Sequence, residues 1–176
     1  MLEALRQPLE DGLIAIARVG GRCIFPARFQ LVATMNLCPC GGRGDAAASC
    51  SCSPLQLDRY RDKLSRALLD RFDLVVALPR PRANELGAPP GEPSGSVQAR
   101  VVTARSGLVA LPQLMTREAE ELLSRAVDRL PLSGRGRART ARVARTIAAL
   151  AESPAVAPEH VAEALSYRSP AELNVR

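Results

Sequence analysis

Apolar positions along the chain follow two rhythms, and the change from one to the other divides it. Leu2, Leu5 and Leu9 share a helical face, and Asp11-Gly12 ends that helix. Leu13 to Val19 reads as a strand, Gly20-Gly21 as a two-residue turn that closes a hairpin, and Arg22 to Phe25 as the returning arm. Residues 29–36 (FQLVATMN) form a second, more buried strand in this reading, and Asp73 to Leu78 another. Between them Ser53-Pro54-Leu55-Gln56 opens a helix. Ser53 serves as N-cap, Pro54 suits the first helical position, and Gln56 completes a capping box. Leu57, Leu64 and Leu68 give that helix its apolar side.

Beyond this stretch the pattern is helical. Pro79 to Ser96 holds five prolines and three glycines, which predicts irregular chain and a domain boundary. A short helix is expected near 96–105. Ala119, Leu122, Leu123, Ala126, Val127 and Leu130 fall at the spacing of one helix face, with Thr116 as cap. Ser133 to Ala151 and Pro158 to Tyr167 complete the set, the last with Val161, Ala164 and Leu165 inward. The predicted order is an α/β part at 1–79, a Pro/Gly-rich linker at 80–96 and an all-α part at 97–176.

Composition adjusts this picture in two ways. Apolar residues make up 47% of the 176, enough for a core, but aromatics are only 3%, so the core must be Leu, Val and Ala. The net charge is +6, nearly all of the positive charge is Arg, and Lys63 is the sole lysine. Such a balance suits a polyanion such as nucleic acid or nucleotide phosphate; it equally describes a solvated surface in a sequence biased toward Arg and Ala. No apolar run approaches the roughly 20 residues of a membrane span, and the N-terminus has no secretory pattern. Both point to the cytoplasm, where clustered cysteines speak more for metal than for disulfides.

The chemistry is concentrated in a few places. Cys38-Pro39-Cys40 and Cys50-Ser51-Cys52 directly follow the strand that ends at Asn36. Four thiolates can close a tetrahedral zinc site, and Gly41, Gly42 and Gly44 permit the sharp turns that a small metal loop needs. The alternative is four reduced thiols without a ligand. Cys23, on a hairpin arm, reads as a small apolar filler. His160, the only histidine, reads as an exposed polar residue, and nothing supports a hydrolase triad. Arg18 and Arg22 flank the expected hairpin tip, where two cations can meet phosphates without reading sequence or simply be solvated.

The strand ending in Asn36, the cysteine excursion and then LLDRFDL at 68–74 together resemble the ComM/magnesium-chelatase-like branch of the AAA+ ATPases, over nearly the whole length. The resemblance implies a partial AAA+ (P-loop NTPase-like) α/β core with a hairpin and a cysteine loop, followed by a helical lid. It implies that Asn36 is sensor 1, touching the γ-phosphate or the attacking water, where a turn-forming Asn is the plainer account. It implies that Arg71 is an arginine finger reaching into a neighbouring subunit, against a local salt bridge to Asp70 or Asp73. Arg135, opening a lid helix in Ser133-Gly134-Arg135, corresponds to sensor 2. Arg137, Arg139, Arg142 and Arg145 follow it, and a solvated basic face is the alternative. Related helicases use the hairpin to grip DNA, which places Arg18 and Arg22 on DNA.

No G-x-x-x-x-G-K-[ST] and no apolar strand ending in Asp-Glu occurs in the sequence. In the resembled family both lie upstream of a segment like this one. The expectation is therefore a C-terminal fragment, starting just after Walker B, that does not hydrolyse ATP alone. The 79–115 region is also shorter than the family pattern. The function implied is that of a ComM-like, ATP-driven hexameric DNA translocase or branch-migration helicase in natural transformation. It uses ATP and Mg²⁺, with Zn²⁺ at the cysteine loop, and its partners are further copies of itself and DNA, with no membrane. The alternatives are a magnesium-chelatase-type subunit and a zinc-stabilised, basic nucleic-acid-binding module.

Overall fold

The computed structural model describes residues 2–45, 48–110, 114–130 and 132–168. The chain divides between Phe72 and Asp73 into two compact units. It is helix-rich, and its one sheet among the described residues has two strands.

The first unit opens with a 3-10 turn at Leu2–Leu5 and helix α1 at Arg6–Asp11. Gly12 stops α1 in the left-handed conformation (φ 65°), its N–H returning to the Pro8 carbonyl at 2.9 Å. Strands β1 (Leu13–Arg18) and β2 (Gly21–Pro26) pair antiparallel, Leu13 opposite Pro26 and Arg18 opposite Gly21. The two-residue loop is therefore Val19-Gly20, one position earlier than the sequence indicated. Helix α2 (Pro54–Arg61) carries the expected capping box. Gln56 N–H donates to Ser53 Oγ at 3.3 Å, and Ser53 N–H donates to Gln56 Oε1 at 2.8 Å. A short turn of helix, α3 (Arg66–Leu69), buries Leu68.

Two expected strands are absent. Residues 29–36 and 73–78 have no ladder partner, and the sheet holds only β1 and β2. An extended segment becomes a strand only when a neighbour takes its N–H and C=O groups. Among the described residues neither segment has such a ladder, and the one bond that Val75 N–H makes to the Tyr167 carbonyl does not build one. Their apolar side chains are accordingly left in solvent: Val32 is 80% exposed and Leu78 86%, with Phe29, Met35, Leu74 and Val76 also exposed. The layered α/β core expected for residues 1–79 is thus represented here by a hairpin, short helices and extended chain.

In the second unit, residues expected as the last strand pack with helices instead. Val75 N–H donates to the Tyr167 carbonyl at 2.9 Å, and Arg139 Nη1 meets Asp73 Oδ1 at 2.9 Å. The Pro/Gly-rich stretch is not wholly irregular, since it contains α4 (Ala83–Leu86) and the start of α5 (Ser94–Ala110), longer than the helix expected at 96–105. Helices α6 (Arg117–Arg129), α7 (Gly134–Leu150) and α8 (Pro158–Ser166) follow the sequence pattern closely. Thr116 Oγ1 accepts from Ala119 N–H at 3.2 Å and Ser133 Oγ from Gly136 N–H at 3.0 Å, capping α6 and α7. Ala119, Leu123, Val143, Ala144, Ala148, Val156, Val161 and Ala164 form the core. Its many alanines let the helix backbones approach closely, which offsets the scarcity of large aromatics. Thr140, fully buried, donates its hydroxyl to the Gly136 carbonyl at 2.9 Å, so no polar atom is stranded there.

Candidate metal centre

The cysteine loop brings four sulfurs together. The Sγ atoms of Cys38, Cys40, Cys50 and Cys52 all lie within 4.8 Å of one another. Cys38 and Cys40 are 3.4 Å apart, and Cys50 stands 3.7 Å from each of them. Four sulfurs on a tetrahedron with bonds near 2.3 Å would stand roughly 3.8 Å apart. The donor set and its spacing therefore fit one zinc ion.

Local sequence explains the convergence. Gly41 and Gly44 have φ of 79° and 85°, a region side chains avoid, and a Cβ on Gly44 would press to 2.7 Å from Leu37 Cδ1. Gly42 packs on the returning arm, where a Cβ would stand 3.1 Å from the Ser49 carbonyl oxygen. Backbone groups then turn toward sulfur, Arg43 N–H donating to Cys38 Sγ at 3.3 Å. The Gly42 backbone N–H, then that of Ser51, pulls the Cys40 thiol down to about 5. Cys52 is pushed up to about 12: the Cys40 backbone N–H opposes the rise, but hydrogen bonding with the Cys40 sulfur and desolvation outweigh it. Cys50 is also raised, against a backbone contact from Cys52, by desolvation and its Cys38 and Cys40 neighbours. Sulfurs packed this closely cannot all ionise without a cation among them. Cys38 is buried, Cys52 half-buried, and Cys40 and Cys50 exposed.

Asn36 lies exposed at the head of this loop. Its carbonyl accepts from the Tyr60 hydroxyl at 3.0 Å, and its Nδ2 lies 3.8 Å from where a Cβ on Gly41 would stand. Tyr60 carried no signal in the sequence, because its partner is 24 residues away.

The other expected residues lie elsewhere. Arg71 is held inside the first unit with its side chain 9% exposed. Nη2 meets Glu10 Oε2 at 2.5 Å, Nε donates to the Arg6 carbonyl at 3.1 Å, and Nη1 donates to the Ala67 carbonyl at 2.5 Å. Its acidic partner is thus neither of the flanking aspartates, and Asp73 pairs with Arg139 instead. Arg135 is exposed in the first turn of α7, Arg137 pairs with Glu120, and Arg142 and Arg145 are exposed.

The hairpin register sets the faces of its two arginines. Arg18 lies opposite Gly21 and Arg22 opposite Ala17. Directly opposed residues share a face and neighbours along a strand do not, so Arg18 and Arg22 point to opposite faces. Cys23 is exposed and fills no core. His160 is 7% exposed, not a surface residue, and its Nδ1 accepts from Ala157 N–H at 3.0 Å, capping α8.

No helix among the described residues is long and apolar enough to cross a membrane. Two family models match the chain: magnesium chelatase, subunit ChlI, over residues 1–86, and the subunit ChlI C-terminal model over 111–168. An uncharacterised protein of Mycobacterium tuberculosis (strain H37Rv) is 41% identical over 186 residues, covering 95% of this chain and 37% of its own length. Competence protein ComM of Haemophilus influenzae is 37% identical over 187 residues, covering 96% of this chain and 36% of its own. The Escherichia coli protein YifB, uncharacterised, is also 37% identical, over 186 residues and the same shares. The chain therefore spans little more than a third of the length of these relatives. The matches cover both units, so the chain belongs to the ComM/magnesium-chelatase-like family.

Proposed function

We propose that this chain supplies the phosphate-sensing and DNA-handling segments of a ComM-like AAA+ ATPase, a ring-forming, ATP-driven DNA translocase acting in competence. The observation that carries this reading is the cysteine cluster seated directly behind Asn36, in a chain 37% identical to competence protein ComM. In this reading Asn36 contacts the γ-phosphate or attacking water and Arg135 the nucleotide phosphates, while the ring is built from copies of the same protein. ATP and Mg²⁺ are the cofactors of the reaction, and one Zn²⁺ held by Cys38, Cys40, Cys50 and Cys52 is structural. Such a four-thiolate site is closed, with no open position for chemistry. Arg71 serves as arginine finger only if its guanidinium leaves Glu10, since positioned positive charge at the transferring phosphoryl is what a finger provides.

A second reading, a magnesium-chelatase-type subunit, is favoured by the description of the matching family models. The two separate in a chimera that carries this chain in place of the matching segment of H. influenzae ComM. ATP turnover that rises on adding DNA and not on adding a tetrapyrrole supports the translocase. The opposite response supports the chelatase. In the same chimera Arg71→Ala should abolish turnover, and mixing with a Walker-B-dead partner should restore part of it if Arg71 acts between subunits.

A further inference from the structure

The cysteine loop and Asn36 form one closed unit of structure. Asn36 precedes Cys38 by two residues, and α2 begins at Pro54, two residues after Cys52. The loop between them is drawn shut twice, by the converging sulfurs and by the Tyr60 hydroxyl reaching from α2 to the Asn36 carbonyl at 3.0 Å. The Ser53–Gln56 capping box fixes the start of α2, and so the direction from which Tyr60 arrives. On the other side Asn36 Nδ2 lies 3.8 Å from where a Cβ on Gly41 would stand.

A single hydrogen bond in solvent holds its partner weakly, because water competes for both groups. A metal ion that crosslinks both arms of the loop removes most of the loop's alternative conformations, and its binding energy becomes ordering energy for whatever is attached. The two residues attached most directly are Asn36 and, through α2, Tyr60.

We propose that metal bound at Cys38, Cys40, Cys50 and Cys52 positions Asn36, with Tyr60 as the positioning residue that carries closure of the loop to the Asn36 carbonyl. This rests on the reading of the four cysteines as a metal centre. Its consequence is regulatory: a protein of this kind short of metal keeps its nucleotide-binding groups but loses the fixed placement of its phosphate sensor.

The test uses the reduced, ¹⁵N-labelled chain with Zn²⁺ alone as probe. One equivalent should move the backbone and side-chain amide signals of Asn36 to a second set in slow exchange. The amides of Leu123 and Val161 should stay in place. Tyr60→Phe should still take one Zn²⁺, with affinity lowered less than about tenfold, yet show less than half of the Asn36 shift. Zinc bound one-to-one with the Asn36 signals unmoved overturns the coupling and leaves the metal centre standing. An unchanged Asn36 shift in Tyr60→Phe overturns the role of Tyr60. Failure of the wild-type chain to take up zinc overturns the metal centre and the coupling together.

Discussion

At the scale of single residues, the four sulfurs differ in what they must give up to bind metal. Cys40, lowered to about 5 by its backbone N–H donors, is a thiolate at neutral pH. Cys52, pushed up to about 12, and Cys50, also raised, hold their protons there. Zinc must displace at least those two protons, so affinity falls as pH falls. Competition against a chelator should show zinc affinity rising by at least about 100-fold between pH 6.5 and 7.5, one factor of ten per proton released. A pH-independent affinity would mean that these thiols do not bind the metal. Arg71 makes a second case. Its guanidinium loses three partners in Arg71→Ala, and with Glu10 about a third exposed the cost is about 1–3 kcal/mol. Amide hydrogen exchange over residues 65–72 should quicken accordingly. Unchanged exchange would show that the arginine is not held in solution and stands free for a neighbouring subunit. His160 shows how a lone residue misleads. The sequence offered no partner for it, because its acceptor role is to a main-chain N–H that any residue type carries.

Elements were legible where their signals are local. The N-caps at Ser53 and Thr116, the capping box at Ser53 and the spacing of α6 each lie within a few residues, and each appears as the pattern indicated. Replacing Leu123, wholly buried on α6, by Ala should cost about 2–5 kcal/mol. Thr116→Ala should cost only about 1 kcal/mol, since it removes one cap bond. Urea unfolding of the two variants, compared with wild type, checks both the size and the order. The hairpin was legible as a hairpin, but its two-residue loop lies one position earlier than the Gly-Gly pair indicated, so Arg18 opposes Gly21 and Arg22 opposes Ala17. If Arg18 and Arg22 each meet a phosphate, they do so independently. Each single change to Ala should flatten the salt dependence of DNA binding by about one, and the double change by about two. One arginine accounting for the whole effect would contradict the two-faced geometry.

For the whole molecule, the sequence revealed less. The segments at 29–36 and 73–78 have strand composition, but composition does not supply a ladder partner, and most of their large apolar side chains remain exposed. The Glu10 that holds Arg71 lies 61 residues away, a pairing no local rule reaches. The cysteine spacing named the metal-site residues, whereas the meeting of their sulfurs with one another, beside the Tyr60–Asn36 bond, depends on how the loop folds back on α2. Native mass spectrometry of the reduced chain after zinc addition and desalting decides whether that meeting is a metal site. The spectrum should show one zinc ion per chain, heavier by the metal less the protons it displaces, and Cys38→Ser together with Cys50→Ser should abolish it. A wild-type chain that returns at its bare mass would contradict the metal centre.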